Sequence, residues 1–124
     1  MDTSMKILCV DDFATMRRIL KNILKQLGFT NIVEADDGTS ALEVLKTDKI
    51  DFIISDWNMP KMSGLDLLKA VRGNDAYKKI PFLMVTAEAQ KQNVIDAVQA
   101  GVSNYVVKPF TAEIISEKLS KIFP

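Results

Sequence analysis

Apolar positions along the chain fall into short runs that alternate with helical stripes. Lys6 to Val10 is a short apolar run cut off by Asp11 and Asp12, poor strand formers and good turn or cap residues, so a buried strand is predicted to end there. From Ala14 onward Met16, Ile19, Leu20, Ile23, Leu24 and Leu27 recur at helical spacing, and Gly28 stands where a helix C-terminus favours one. Ile32 to Ala35 predicts a second strand and Gly38 a break. Ala41, Leu42 and Leu45 then form the inner face of a short helix, with Ser40 and Glu43 as its capping box. Phe52 to Ser55 predicts a third strand closing on Asp56. Trp57 to Gly64, which contains Pro60, reads as a loop, and Leu65, Leu68 and Val71 open the next helix.

Pro81 has no N–H to give a ladder and fits only at the mouth of a strand, so the fourth strand runs from Phe82 to Thr86. Gln90 to Ala100 predicts a helix stopped by Gly101, and Asn104 to Val107 a fifth strand. Thr111 is the expected cap of a final helix whose stripe is Ile114, Ile115, Leu119 and Ile122. Five short apolar strands alternating with helices imply a parallel sheet covered on both faces, because right-handed crossovers place the helices there. The predicted fold class is doubly wound α/β. No linker, repeat or low-complexity stretch divides the sequence, so residues 1–124 are expected to form one domain. In such sheets ligands bind beyond the carboxyl ends of the strands, at the switch point of strand order.

Charge narrows the possible partners. Sixteen basic residues balance sixteen acidic ones, so the long-range field that draws proteins to nucleic acid or anionic membrane is missing and neither is an expected partner. With neither a signal-like leader nor an apolar run of bilayer length, the protein is expected in the cytoplasm. Cys9 is the single cysteine and lies inside the first apolar run, which excludes an intrachain disulfide and reads as a small buried hydrophobe. The chain has no histidine. Its chemistry must therefore rest on carboxylates, hydroxyls and lysine.

The predicted topology brings Asp11 and Asp12 after the first strand, Asp56 at the end of the third, Thr86 at the end of the fourth and Lys108 after the fifth to one rim. Each alone is an ordinary turn, cap or solvated residue. Together they need explaining, because like charges a few ångströms apart repel by about 4 kcal/mol per pair at an effective dielectric of about 20. Carboxylate oxygens in this number suit a hard cation that keeps several waters, and Mg²⁺ is the common case where phosphate is also bound. A lysine and a hydroxyl can hold the remaining oxygens of a phosphoryl group. Asp56, ending a strand in the middle of the predicted sequence of elements, is the best placed of the acids to act as nucleophile.

At these residues the chain resembles a known family. The stretches VDDFATMRR, SDWNMPKMSGLDLLK, MVTAEA and AGVSNYVVKPFTAE are similar, in order and spacing, to the receiver domains of two-component response regulators, and to chemotaxis regulators in particular. The resemblance covers almost the whole chain. It implies a flavodoxin-like sheet of order 2-1-3-4-5 with five helices, and a phosphoacceptor signalling protein, a monomer, that assists its own phosphorylation and dephosphorylation but is not otherwise an enzyme. Asp56 would accept the phosphoryl group from a phosphohistidine on a chemotaxis histidine kinase. Asp12 and Asp56 would bind Mg²⁺ directly, Asp11 through water, and the backbone carbonyl of Asn58 would complete the protein ligands.

The resemblance also implies that Lys108 pairs with the phosphoryl group and that Thr86 moves to bond it, while Tyr105 turns into the space left behind. The Lys108–Pro109 peptide is expected to be cis, and Asn58 and Glu88 to influence hydrolysis of the acyl phosphate. A surface including Ala89, Lys91, Val94, Tyr105, Phe110 and Lys118 would dock the flagellar motor switch protein. Whether a dedicated phosphatase exists is left open. Ser63, Gln90 and Val98 depart from the family pattern, which affects the partner rather than the chemistry.

Three other readings compete. A flavin-binding redox protein shares the fold class, but the loop after the first strand has two acids and no glycine and would repel a flavin phosphate. A small-molecule phosphatase would need an acid near Asp56 to protonate the leaving group, and Trp57, Asn58 and Met59 supply none. A stand-alone receiver serving a phosphorelay or a non-motor output is the remaining alternative.

Overall fold

All four positions of the first strand, β1 (Ile7–Val10), are buried, which is why its sequence shows an unbroken apolar run rather than alternation. The computed structural model describes residues 2–87 and 90–124. After β1 come α1 (Ala14–Gln26), β2 (Ile32–Ala35), α2 (Gly38–Thr47), β3 (Phe52–Asp56), α3 (Gly64–Arg72), β4 (Phe82–Thr86), α4 (Lys91–Gln99), β5 (Asn104–Val107) and α5 (Ala112–Ile122). The strands form one parallel sheet in the order β2-β1-β3-β4-β5. This is the doubly wound arrangement with five helices that the sequence implied. Among the described residues no helix is long and apolar enough to cross a membrane.

Alternate residues of each central strand feed two separate cores. Ile7, Cys9, Phe52, Ile54, Leu83 and Val85 pack with Leu20 and Leu24 of α1 and Ile115 and Leu119 of α5. Leu8, Val10, Ile53, Phe82 and Met84 pack on the other face with Ala41 and Leu45 of α2 and Leu67, Leu68 and Val71 of α3. Cys9 is fully buried, and burial pushes its thiol up to about 12, so it is an inert core side chain. On α4, by contrast, Ala97 is the one buried residue.

Helix ends account for most differences from the expected boundaries. Gly28 and Gly101 follow α1 and α4 with φ of 101° and 93°, the left-handed conformation that glycine tolerates best. Gly38 is the first residue of α2 rather than a break. The cap is not a Ser40–Glu43 box. Asp37 accepts hydrogen bonds from Ser40 N at 2.8 Å and Thr39 Oγ1 at 2.6 Å, while Glu43 turns outward to Lys46. Gly64 likewise opens α3, capped by Ser63, whose Oγ accepts from Asp66 N at 3.1 Å. Thr111 caps α5 as expected, and the Lys108–Pro109 peptide is cis. The apolar stripes are wider than the buried faces, since Ile19 on α1 and Ile114 on α5 are exposed.

The bond from the Thr39 hydroxyl, then that from the Ser40 N–H, with Lys61 nearby, holds the Asp37 carboxyl down at about 2, against 3.8 for the free group. A depressed folded pKa contributes stability above the unfolded value and loses it as pH falls through the folded one. Asp37→Asn keeps a capping oxygen and removes the charge. The melting-temperature advantage of the wild type over this variant should therefore shrink between pH 3.8 and about 2. Thermal melts followed by circular dichroism check this, and a gap that stays constant across that window would contradict it.

Candidate functional site

Strand register alone fixes the rim. Val10 lies opposite Ala35 and Ser55, Asp56 opposite Val85, and Thr86 opposite Val107, so Asp11, Asp56, Thr86 and Lys108 leave the sheet at one edge. Asp11 N continues the ladder one step, donating to Ala35 O at 3.2 Å. Its Oδ1 then accepts from Phe13 N at 2.9 Å, a side-chain turn that reverses the chain into α1 and leaves Asp12 exposed beside it.

One carboxylate oxygen from each of Asp11, Asp12 and Asp56 lies within 4.8 Å of the others. Asp11 and Asp56 are each only 7% exposed. Lys108 Nζ reaches Asp56 Oδ1 at 3.1 Å and Asp11 Oδ2 at 3.4 Å. Burial, and then the charge of Asp11, push the Asp56 carboxyl above its ordinary value, and Lys108 and the Trp57 N–H only partly oppose them. Burial disfavours the charge on Lys108, but Asp56 and Asp11 outweigh it and raise that pKa, so the ammonium is secure. These all-oxygen donors suit a hard divalent cation. Beside them stand a largely buried carboxylate, able to act as a nucleophile, and a lysine able to meet an anion.

The backbone around Asp56 is tightly held. Trp57 N donates to Val85 O, Gly64 N to Trp57 O, and Lys108 N to Thr86 O, each at 2.8 Å. Ser55 Oγ bonds the Asp56 carbonyl at 2.9 Å. A Cβ on Gly64 would run into that same carbonyl and into Met84 Sδ, so the α3 N-terminus approaches β3 as closely as it does only because residue 64 has no side chain.

A second feature adjoins the rim. Thr86 lines a small apolar cavity with Trp57, Met84, Asn93, Val94, Ala97 and Tyr105, of about 10 Å³, near the lower limit for one water. Tyr105 is half-buried, and Lys118 Nζ lies 5.5 Å from its ring centroid. A separate crevice beneath the acids is lined by Asp11, Arg17, Asp56, Lys108 and Phe110.

Asp11, Asp12, Asp56 and Lys108 thus come together as the sequence suggested, and Thr86 and Tyr105 share one cavity beside them. Asn58 and Lys91 are exposed, and Val94 is half-buried in the cavity wall. Phe110 is half-buried and packs against the core under α1 and α5. Glu88 and Ala89 lie outside the described residues. Val98 is 62% exposed. Ser63, read as a departure from pattern, is a helix cap, and its Ser-x-x-Asp spacing to Asp66 carried that signal. Arg17 was missed altogether: Nη1 donates to the Asp11 carbonyl at 2.6 Å and Nε to Glu34 Oε1 at 3.1 Å.

Known proteins share this sequence pattern and fold. Residues 7–120 match the response regulator receiver domain family. The chain is 61% identical over 119 residues to the chemotaxis protein CheY of Pseudomonas aeruginosa, covering 96% of each chain. It is 57% identical over 123 residues to the chemotaxis protein CheY-3 of Vibrio cholerae, covering 99% of this chain and 95% of that one. The crystallised chemotaxis protein CheY4 of Vibrio cholerae superimposes with a TM-score of 0.90 at 34% identity, covering 97% of this chain and 99% of that one.

Two outcomes follow from the packing and the charges. Gly64→Ala should destabilise the fold by about 1–3 kcal/mol, the usual cost of overpacking, read as a lower urea midpoint with an unchanged slope. Lys108→Ala removes a positive charge in contact with Asp56, so the Asp56 carboxyl should titrate at higher pH than in the wild type. Carbon NMR of the side-chain carboxyl checks it, and an unmoved titration would show that the pair is not coupled.

Proposed function

The chain belongs to the response regulator receiver domain family, and we propose that it is a chemotaxis regulator switched by phosphorylation of Asp56. In this reading residues 1–124 act as one receiver domain in the cytoplasm. A phosphohistidine on a chemotaxis histidine kinase is the donor, and the flagellar motor switch protein is the output. The observation that carries it is the convergence of Asp11, Asp12 and Asp56 at one sheet edge with Lys108 in contact with Asp56.

The donor set fits Mg²⁺: the three acids offer only oxygen, they lie close enough to share one ion, and Asp12 is open to solvent for ligands that water completes. Asp11, Asp12 and Asp56 would hold it together with the backbone carbonyl of Asn58. Bound there, the ion neutralises charge on the phosphoryl group being transferred. The Asp56 carboxylate attacks phosphorus, the P–N bond of the phosphohistidine breaks, and the electron pair leaves with the imidazole, giving an acyl phosphate. Lys108, already protonated and within 3.1 Å of Asp56, pairs with a phosphoryl oxygen. In this reading the protein is a phosphoacceptor that assists its own modification, not an enzyme that turns over small phosphoesters.

Thr86 and Tyr105 carry the signal outward. When the Thr86 hydroxyl bonds the phosphoryl group, the cavity it shares with Tyr105 gains room for the ring to turn inward. That changes the surface formed by α4, β5 and α5, where Lys91, Val94, Tyr105 and Lys118 stand. Moving such an equilibrium from 1:99 to 99:1 takes about 5.5 kcal/mol of differential stabilisation. A modification of charge about −2 beside Lys108 is of the right kind to supply it. Asn58 and Glu88 would tune hydrolysis of the acyl phosphate.

Trp57 follows Asp56 in the chain and reports on the site. Mg²⁺ should quench its fluorescence, acetyl phosphate or beryllium fluoride should change it further, and both the further change and a phosphoryl adduct mapped by mass spectrometry should vanish in Asp56→Ala. An adduct on another side chain would overturn the assignment. The phosphorylated form should bind a peptide of the flagellar switch protein more tightly than the unphosphorylated form does. Equal binding would favour a relay or a non-motor output.

A further inference from the structure

We infer that Arg17 is a positioning residue for the cation site: its guanidinium, anchored on Glu34, fixes the peptide that presents Asp11 and Asp12. The inference rests on the Mg²⁺ reading above and names how the acidic loop is held in shape. The register of β1 with both neighbours ends at Val10, opposite Ala35 and Ser55, and Asp11 N adds one last ladder bond, to Ala35 O. The Asp11 carbonyl is therefore the first acceptor beyond the ladder. Arg17, in the first turn of α1, takes the place of a strand there, with Nη1 at 2.6 Å from that oxygen.

The other end of the fork is fixed too. Arg17 Nε bonds Glu34 Oε1 at 3.1 Å, and Lys21 Nζ occupies Oε2 at 3.4 Å. Against the upward push of its own burial, these bonds keep the Glu34 carboxyl below its ordinary value. Glu34 sits in edge strand β2 opposite Cys9, so the guanidinium joins α1, the end of β1 and the sheet edge. The Arg17 side chain is only 17% exposed. One planar group with donors on two sides can bridge these acceptors, and a lysine ammonium cannot keep the same spacing.

Two roles for Arg17 predict opposite signs. A background positive charge near the acids would repel Mg²⁺, so deleting it would tighten binding. A positioning residue would loosen binding when lost, even when the charge is kept. Mg²⁺ titrations of the 124-residue chain, read by Trp57 fluorescence and by calorimetry, separate them. Arg17→Lys and Arg17→Ala should both weaken Mg²⁺ binding by about tenfold, the lower end of what losing an outer partner costs a metal site. Lys21→Ala, which also removes a positive charge beside Glu34, should not weaken it.

Wild-type affinity in Arg17→Lys, or tighter binding in Arg17→Ala, would overturn the inference. Melts without Mg²⁺ establish that each variant is folded, and if Arg17→Ala is not, Arg17→Lys decides alone. If the wild type itself binds no Mg²⁺, the cation site and the inference fall together. If the wild type binds and Arg17→Lys binds equally well, only the inference falls.

Discussion

Asp11, Asp12 and Asp56 are forced together by the sheet, and everything at this edge answers to their mutual repulsion. Parallel strands of adjacent register must deliver the residues after β1 and the last residue of β3 to one place. At an effective dielectric of about 20, each pair of such charges costs about 4 kcal/mol when 4 Å apart. Lys108 offsets part of this and not all of it. Asp56 remains raised, by burial first and by the charge of Asp11 second, although Lys108 is in contact with it, and Lys108 is itself raised by the two acids. One ammonium shared between two buried carboxylates, with a third acid beside them, leaves a residual negative charge of the kind a divalent cation would neutralise.

Keeping charged groups in that arrangement requires a stiff frame. The frame is the pair of cores on either side of the sheet, to which α1 and α5 on one face and α2 and α3 on the other each contribute at least two buried side chains. α4 is the exception, with Ala97 alone buried. A helix with so little apolar burial to hold it belongs to the low-stability end of the molecule, where rearrangement costs least. It also walls the cavity shared by Thr86 and Tyr105. The rigid part of the fold therefore holds the charges, and the part that can yield lies next to them.

How much of this could be read from the sequence depends on what fixes each feature. β2, β4 and β5 have the predicted limits because apolar runs are locally bounded, as by Pro81 before Phe82. Gly38 and Gly64 were misjudged for the opposite reason. Gly38 was read as a break and Gly64 as the end of a loop, yet each is the first residue of a helix and is small because Met62 or the Asp56 carbonyl comes close. That constraint is tertiary and leaves no local trace. The α2 cap was misplaced because Ser40 and Glu43 fit a capping pattern as well as Asp37 does, and only the backbone reveals which side chain meets the free N–H groups. Arg17 reads in sequence as one more charge on an amphipathic helix. Its role appears only when the carbonyl it bonds is seen to lie past the end of the ladder.

Lys108 ties the two halves of the site into one. Its side chain is divided between Asp11 and Asp56, while its own N–H is bonded to the Thr86 carbonyl, so the residue in contact with the acid of β3 is also the one that extends the pairing of β4 with β5. A change of charge at Asp56 alters the balance of attractions on that ammonium without any intervening mobile element. Thr86 and Tyr105 line the same cavity from the two strands whose pairing Lys108 extends, Tyr105 opposite Met84 and Thr86 opposite Val107. Asp56 on β3 and Tyr105 on β5 are thus separated by β4 alone. Transmission in this fold then requires only that the β4–β5 edge have two arrangements of similar free energy, which the thin attachment of α4 permits.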